Sequence, residues 1–309
     1  MLAKFWESTG EGLSEQWFLL IFGPGFLFWG SGILIVVGRI GLIATWNWIL
    51  SLALPAQSAL LIIAILILAG SSTLMEYVRF GFLRFLEGYW FWPLGYLGIL
   101  GEKIQRWNIQ NERRQWNILM DKAETGILSS VEKRKLSQLE VRGHYVPANL
   151  DDCMPTKLGN ILRGAETVPL YRYGLDPVIC WSHLWLLLPA DARDDLNKSR
   201  QHLDRMVELW GWGALFLVWT MWWGWAALIG FTWMILGYTL VIQAATTYSD
   251  LVTSAFDLYR WNLYSAVHWA LPKCSGDGEV KLGKQLTEFL WRGTSDTPVN
   301  YKHPQNNPD

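Results

Sequence analysis

The chain has 309 residues, of which 51% are hydrophobic and 17% are charged, and its formal net charge is −1. A soluble domain carries about 25% charged residues, and the deficit here is local, because long uncharged stretches alternate with ordinary polar sequence. A net charge near zero excludes the strong field that would attract nucleic acid. The 21 tryptophans favour a membrane protein, because tryptophan prefers the interface between lipid and water.

Two uncharged stretches near the N-terminus predict a first membrane hairpin. Residues 16–38 contain no charge over 23 positions, and one span needs about 20 apolar residues. After Arg39, a second stretch runs to residue 75. Its first part, up to Pro55, predicts an interfacial connection or a partial helix, and the sequence leaves an interfacial and a re-entrant path open. Residues 56–75 form the second predicted span.

Residues 77–92 follow this span and mix Arg79, Arg84 and Glu87 with aromatic side chains. This pattern predicts an amphipathic helix on the membrane surface. Two apolar stretches of 14 residues each, 88–101 and 177–190, are too short to span a membrane and indicate interfacial or buried segments.

The longest uncharged stretch lies between Glu208 and Asp250 and contains 41 residues. It is too long for one span and about right for two spans with a tight turn. We expect the turn near residues 222–225, where Gly224 permits a chain reversal and three tryptophans suit the headgroup level. These residues, 209–249, form a second predicted membrane hairpin.

The region between the hairpins, residues 102–208, is polar and has helical rather than strand-like patterning. Ser129 and Glu132 fit a capping box, and Asp176 followed by Pro177 is typical of a helix start. The sequence therefore predicts an all-α integral membrane protein with four transmembrane helices. Its predicted parts are an N-terminal hairpin with an interfacial helix (1–101), a helical cytoplasmic region (102–208), a second hairpin (209–249) and a cytoplasmic helical extension with a disordered tail (250–309).

The distribution of Lys and Arg predicts the orientation, because cations near span ends favour the cytoplasmic side. The connection between the first two predicted spans carries only Arg39, and the last connection carries none. We therefore expect the central region and both termini in the cytoplasm of a bacterial cell, with the spans in its inner membrane. The cations near span ends that adjoin the central region are Arg79, Arg84, Arg193, Lys198, Arg200 and Arg205.

One polar stripe is a candidate functional site, formed by Gln243, Thr247, Asp250, Ser254 and Asp257. Their spacing places them on one helical face that leads out of the fourth predicted span. In an oligomer this face could line a pore with two acidic rings. Alternatively, Gln243 and Thr247 bind a neighbouring helix, and the later residues face water.

The sequence offers no catalytic constellation, so we expect no catalytic, cofactor-binding or metal-binding residues. Its five histidines lack metal-ligand spacing, and no nucleophile motif or phosphate-binding glycine loop occurs. The predicted spans contain no internal charge, which disfavours a buried proton relay. Three widely separated cysteines indicate reduced thiols, and the polar N-terminus does not predict a cleavable signal peptide.

Three segments in the second half of the chain carry a resemblance. These are PTKLGNILRGAE (155–166), RYGLDPVICWSHLWLLLP (172–189) and TTYSDLVTSAFDLYRWNLY (246–264). They resemble an uncharacterised group of bacterial multi-span membrane proteins, which implies the membrane fold but no site residues. The arrangement of two hairpins around a helical region also resembles bestrophin-type anion channels in architecture alone.

Three functions follow as hypotheses from these patterns. The first is an oligomeric membrane assembly that forms an ion-conducting pore. The second is a membrane-anchored adaptor or sensor that binds a cytoplasmic protein partner, and the third is a lipid-acting membrane enzyme. The expected partners are the lipid bilayer, further copies of the chain and a cytoplasmic protein, with no nucleic acid.

Overall fold

The computed structural model of the chain describes residues 23–91, 93, 95–126, 128–294 and 301. This part is 84% helical and contains no strand, which confirms the all-α fold class. The predicted disordered tail and the start of the first predicted span lie largely outside the described residues. The α-helices are α1 (Pro24–Ile40), α2 (Leu42–Ser51), α3 (Leu54–Glu87), α4 (Gly95–Glu124), α5 (Ser130–His144), α6 (Lys157–Tyr173), α7 (Pro177–Leu187), α8 (Ala190–Phe216), α9 (Trp225–Ala266) and α10 (Asp277–Arg292).

The chain divides into two compact units. Unit 1 comprises Met1–Leu83 and Asp204–Val241, and unit 2 comprises Arg84–Leu203 and Ile242–Asp309. Helices α3, α8 and α9 each contribute residues to both units. Each unit has a hydrophobic core of its own.

The core of unit 1 is built around aromatic side chains. Phe28 of α1 packs against Trp212 of α8 and Trp219 of the following 3-10 turn, with ring centroids 5.5 and 5.3 Å apart. Gly32 lies under the Trp219 ring, so that a Cβ atom at this position would overlap the indole. The close approach of α1 to this turn therefore requires glycine.

Helices α1 and α2 form a sharply bent pair, with an angle of 101° between them. The break falls at Gly41, whose φ of 98° lies in the region that favours glycine. The predicted partial helix before Pro55 is thus α2, a helix of 10 residues. Together, α1 and α2 are long and apolar enough to count as one broken span or a re-entrant loop.

The structure corrects the separate surface helix predicted at residues 77–92. Residues 77–87 continue α3, which runs unbroken for 34 residues. No residue after Met75 interrupts the helix until Gly88, whose φ of 102° is incompatible with a right-handed helix. The arginines on this segment therefore belong to the end of a predicted span rather than to a helix of their own.

Two helices, α3 and α9, are long and apolar enough to cross a membrane, and α1 with α2 would make a third span. The predicted turn after Met221 is confirmed, since α9 begins at Trp225. The first arm of this hairpin is short, because α8 gives way to a 3-10 turn at Leu217. Residues 209–221 cover about 22 Å, whereas the hydrocarbon core of a bilayer is about 30 Å thick.

The core of unit 2 surrounds the second half of α9. Phe256 and Tyr264 of α9 are completely buried, together with Cys180 and Leu184 of α7 and Leu286 of α10. The 177–190 stretch is thus buried along one face. The stretch 88–101 differs. Within it, the four large apolar side chains of α4 are all exposed: Tyr96, Leu97, Ile99 and Leu100.

Two predicted helix starts in unit 2 are confirmed. Ser129 and Glu132 form the complete capping box of α5, and the Asp176 carboxylate accepts a hydrogen bond from the Val178 amide at the start of α7. Helix α10 was not predicted individually. It packs tightly on the end of α6, where a Cβ atom on Gly283 would overlap the Tyr173 carbonyl oxygen.

Candidate functional site

The predicted polar stripe lies on the less buried side of α9 within unit 2. Gln243, Thr247 and Ser254 are exposed, whereas Asp250 and Asp257 are partly buried. The Thr247 hydroxyl donates to the Gln243 carbonyl oxygen at 3.2 Å, so this contact stays within the helix. A pore-lining role for the stripe stays a prediction.

Asp250 is held by the end of α5. The Tyr145 hydroxyl donates to Asp250 Oδ2 at 2.9 Å. Burial, and then this hydrogen bond to the carboxylate, raise the pKa of Tyr145. His144 Nε2 lies 3.5 Å from Asp250 Oδ1, a buried oxygen that has no hydrogen-bond partner among the described residues.

Asp257, seven residues further along α9, is held in the same way by the end of α6. The Tyr173 hydroxyl donates to Asp257 Oδ1 at 2.6 Å, and Arg172 Nη1 lies 3.7 Å from Oδ2. Burial, followed by the hydrogen bond to the Asp257 carboxylate, raises the pKa of Tyr173. Each acid of the stripe therefore accepts a hydrogen bond from a tyrosine that follows a basic residue in the sequence.

These contacts change the chemistry that the stripe offers. A carboxylate in a pore ring presents its oxygens to passing ions, but here Asp250 and Asp257 accept hydrogen bonds from their own chain. Their first role is to fasten α5 and α6 to α9. Tyr145 and Tyr173, which lie at the ends of α5 and α6, were not predicted from the sequence as part of this site.

A second feature of unit 2 is a cavity of about 800 Å³ walled by α4, α5, α6 and α9. This volume falls in the range of ligand-binding sites. We call it the polar cavity, because amide side chains supply much of its wall. The lining amides that make no hydrogen bond among the described residues are Gln105, Asn108, Asn111, Gln115 and Gln138.

The charges of the polar cavity favour an anionic ligand. Glu112 and Arg142 neutralise each other as an ion pair of 3.1 Å. Lys135 and Lys157 also line the cavity, are exposed, and have no carboxylate partner in the part of the chain that the structure describes. The wall thus carries two uncompensated positive charges beside groups that both donate and accept hydrogen bonds.

Asn160 also lines the polar cavity but has a structural role. It is buried, and its amide holds both backbone groups of Met154, accepting from the nitrogen at 2.8 Å and donating to the carbonyl oxygen at 3.1 Å. Its hydrogen-bonding capacity towards a ligand is therefore reduced.

The two buried thiols offer little nucleophilic chemistry. Cys153 and Cys180 are buried, and Cys274 is exposed. Burial raises the pKa of Cys153, and it raises the pKa of Cys180 to about 11. A thiol with such a pKa carries little thiolate at neutral pH.

Within residues 23–294, apart from the undescribed positions, no group of three or more His, Cys, Asp and Glu side chains is arranged to hold a metal ion. Comparison of the chain with protein-family models, with curated proteins and with solved structures gives no match. The resemblance to a bacterial membrane-protein group therefore stays a prediction, and a function has to be inferred from the geometry of the two units.

Proposed function

We propose that this chain is a membrane-anchored adaptor whose unit 2 binds an acidic segment of a soluble protein partner in the polar cavity. The observation that carries the proposal is that Lys135 and Lys157 line the cavity beside free amide side chains. Both lysines are exposed and have no carboxylate partner among the described residues. Lysines pair with acidic side chains. Amides can hydrogen-bond to the exposed N–H and C=O groups of an extended peptide.

The apolar surface of unit 2 supports a position close to the membrane. The start of α4 exposes Tyr96 and Leu100, and Trp107 on the same helix is also exposed. Aromatic side chains of this kind are common at the headgroup level. A binding module held there would recruit its partner to the membrane surface.

We further propose the bacterial inner membrane as the location, with four crossings and unit 2 in the cytoplasm. The excess of Lys and Arg near the central region supports this orientation. If α9 crosses the membrane from Trp225 back to the cytoplasm, the chain must first reach the opposite side. Residues 209–221 would then form a short crossing. Local thinning of the bilayer can accommodate a short crossing at modest cost.

Cysteine labelling in intact cells tests this topology. Single cysteines are placed at Gln138 in α5 and at Gly224 in the turn, both of which are exposed, in a chain whose own cysteines are replaced by serine. An impermeant maleimide should label position 224 and spare position 138. Labelling of position 138 in intact cells would reject a cytoplasmic unit 2.

Peptide binding tests the adaptor proposal. The probe is a fluorescent polyglutamate peptide, and the protein is purified in detergent. Replacing Lys135 and Lys157 by Gln together should weaken binding about fivefold, because each exposed ion pair contributes about 0.5 kcal/mol. The matched control replaces Lys103 and Lys133, which are exposed cations outside the cavity wall. Equal losses in both double variants would show unspecific charge attraction and reject the site.

A pore is the second candidate, favoured by the exposure of Gln243, Thr247 and Ser254 on a helix that is long enough to cross a membrane. It requires several copies with their α9 helices around a common axis. Ion flux through reconstituted vesicles, altered by Gln243→Leu, would support it. An unchanged flux in this variant would reject a pore lined by the stripe.

A further inference from the structure

Arg39 occupies an unusual position in unit 1. It lies in the last turn of α1, and its Nη2 donates to the Trp222 carbonyl oxygen at 2.7 Å. No carboxylate within the described residues forms an ion pair with it. A guanidinium has five N–H donors, so one hydrogen bond leaves most of its capacity, and its full charge, available to another group.

A cavity of about 430 Å³ opens beside this guanidinium. We call it the Arg39 cavity. Its wall is mostly apolar. The other residues that form it are Ser31, Leu34, Ile35, Gly38, Trp222 and Trp223.

The surroundings of the Arg39 cavity match the boundary between headgroups and acyl chains. Trp222 and Trp223 remain 43% and 42% exposed, and tryptophan is enriched at the headgroup level. Ile33 and Leu34 of α1 are also exposed, and an apolar helix face of this kind is suited to contact with lipid. An arginine near such a boundary extends towards phosphate groups.

We propose that the Arg39 cavity binds one anionic phospholipid. The phosphate accepts hydrogen bonds from the Arg39 guanidinium, for which its geometry is suited. The first part of an acyl chain lies along Leu34 and Ile35. The Arg39 cavity shares no residue with the polar cavity.

Two substitutions separate lipid binding from a purely structural role of Arg39. Arg39→Gln removes the charge but also alters the contact to the Trp222 carbonyl. Gly38→Leu fills the cavity and keeps Arg39, and the open space around Gly38 accepts the new Cβ without overlap. Arg114→Gln is the matched control, because Arg114 is an exposed arginine in unit 2, outside the cavity.

The measurement is native mass spectrometry of the detergent-purified protein, titrated with phosphatidylglycerol and, in parallel, with phosphatidylcholine. The wild type and Arg114→Gln should retain one phosphatidylglycerol preferentially. Arg39→Gln should weaken this binding about tenfold, as expected for the loss of a charge-assisted hydrogen bond, and Gly38→Leu should weaken it by a similar factor.

Tryptophan fluorescence melting shows whether each variant is folded. If Arg39→Gln does not fold, Arg39→Lys, which keeps the charge, takes its place. For this variant the expected result is retained preference for phosphatidylglycerol. Unchanged phosphatidylglycerol binding in Gly38→Leu, or in folded Arg39→Gln, overturns the proposal. Equal binding of phosphatidylcholine and phosphatidylglycerol by the wild type overturns it as well.

Discussion

The Arg260 side chain of α9 lies 2.8 Å from the Glu279 carboxylate of α10, and the two side chains are only 12% and 3% exposed. The guanidinium also lies over the Tyr173 ring, 4.0 Å from its centroid. This ion pair joins three helices of unit 2, because Tyr173 ends α6. It fastens α10 to the end of α6, where Tyr173 also binds Asp257.

The buried pair should make Glu279→Gln strongly destabilising. Removing one partner leaves the other charge buried and uncompensated, which costs about 3 kcal/mol. Glu288→Gln is the control, because Glu288 pairs with Arg292 on the surface of α10, where a pair contributes less than about 1 kcal/mol. Thermal melting in detergent checks both variants, and equal melting temperatures for them would contradict the account.

The tyrosine contacts to the stripe should contribute measurably to the stability of unit 2. Tyr173→Phe removes the hydroxyl that binds Asp257, and a hydrogen bond to a charged group contributes about 2 kcal/mol. Tyr171→Phe removes a similar bond to Asp152, but from an exposed ring, and should cost less. Hydrogen exchange of α6 amides measures the difference, and faster exchange in Tyr171→Phe than in Tyr173→Phe would contradict the assignment.

The capping box predicts how the stability of α5 depends on pH. Hydrogen bonds from Lys122 and Ser129 lower the pKa of Glu132 from 4.5 to about 2. Because the pKa is lower in the folded state, the stabilisation is complete above about pH 4.5 and is lost as the pH falls towards 2. Hydrogen exchange of α5 should show this loss in the wild type and not in Glu132→Gln. The same acid sensitivity in both proteins would contradict it.

The thiols should react very unequally in the folded protein. Cys274 is exposed, whereas Cys153 and Cys180 are buried and have raised pKa values. A thiol reagent at pH 8 should therefore modify one cysteine rapidly, and Cys274→Ser should abolish the rapid phase. A rapid phase that persists in this variant would show that a buried thiol is accessible.

The sequence predicted the features that depend on neighbouring residues. The capping box at Ser129 and the cap at Asp176 each act within three positions of the chain. The end of α3 was mispredicted, because charged residues alone do not stop a helix. The stop depends on the backbone conformation of Gly88.

The site could be predicted only in part, for a related reason. Helical spacing put Asp250 and Asp257 on one face, but their partners, Tyr145 and Tyr173, lie 105 and 84 residues away in sequence. Periodicity gives no information about such pairs. The polar cavity was missed because its lysines, Lys135 and Lys157, come from different helices and converge only in the folded chain.

Site-specific photo-crosslinking in cells tests the adaptor proposal most directly. A photoreactive amino acid replaces Gln138, which lines the polar cavity, and a matched one replaces Val131, an exposed residue of α5 outside it. The account predicts an adduct from position 138 alone, mapped to an acidic segment of another protein and lost in the Lys135→Gln, Lys157→Gln background. Adducts from position 138 only to lipid, or to a second copy of this chain, would contradict it.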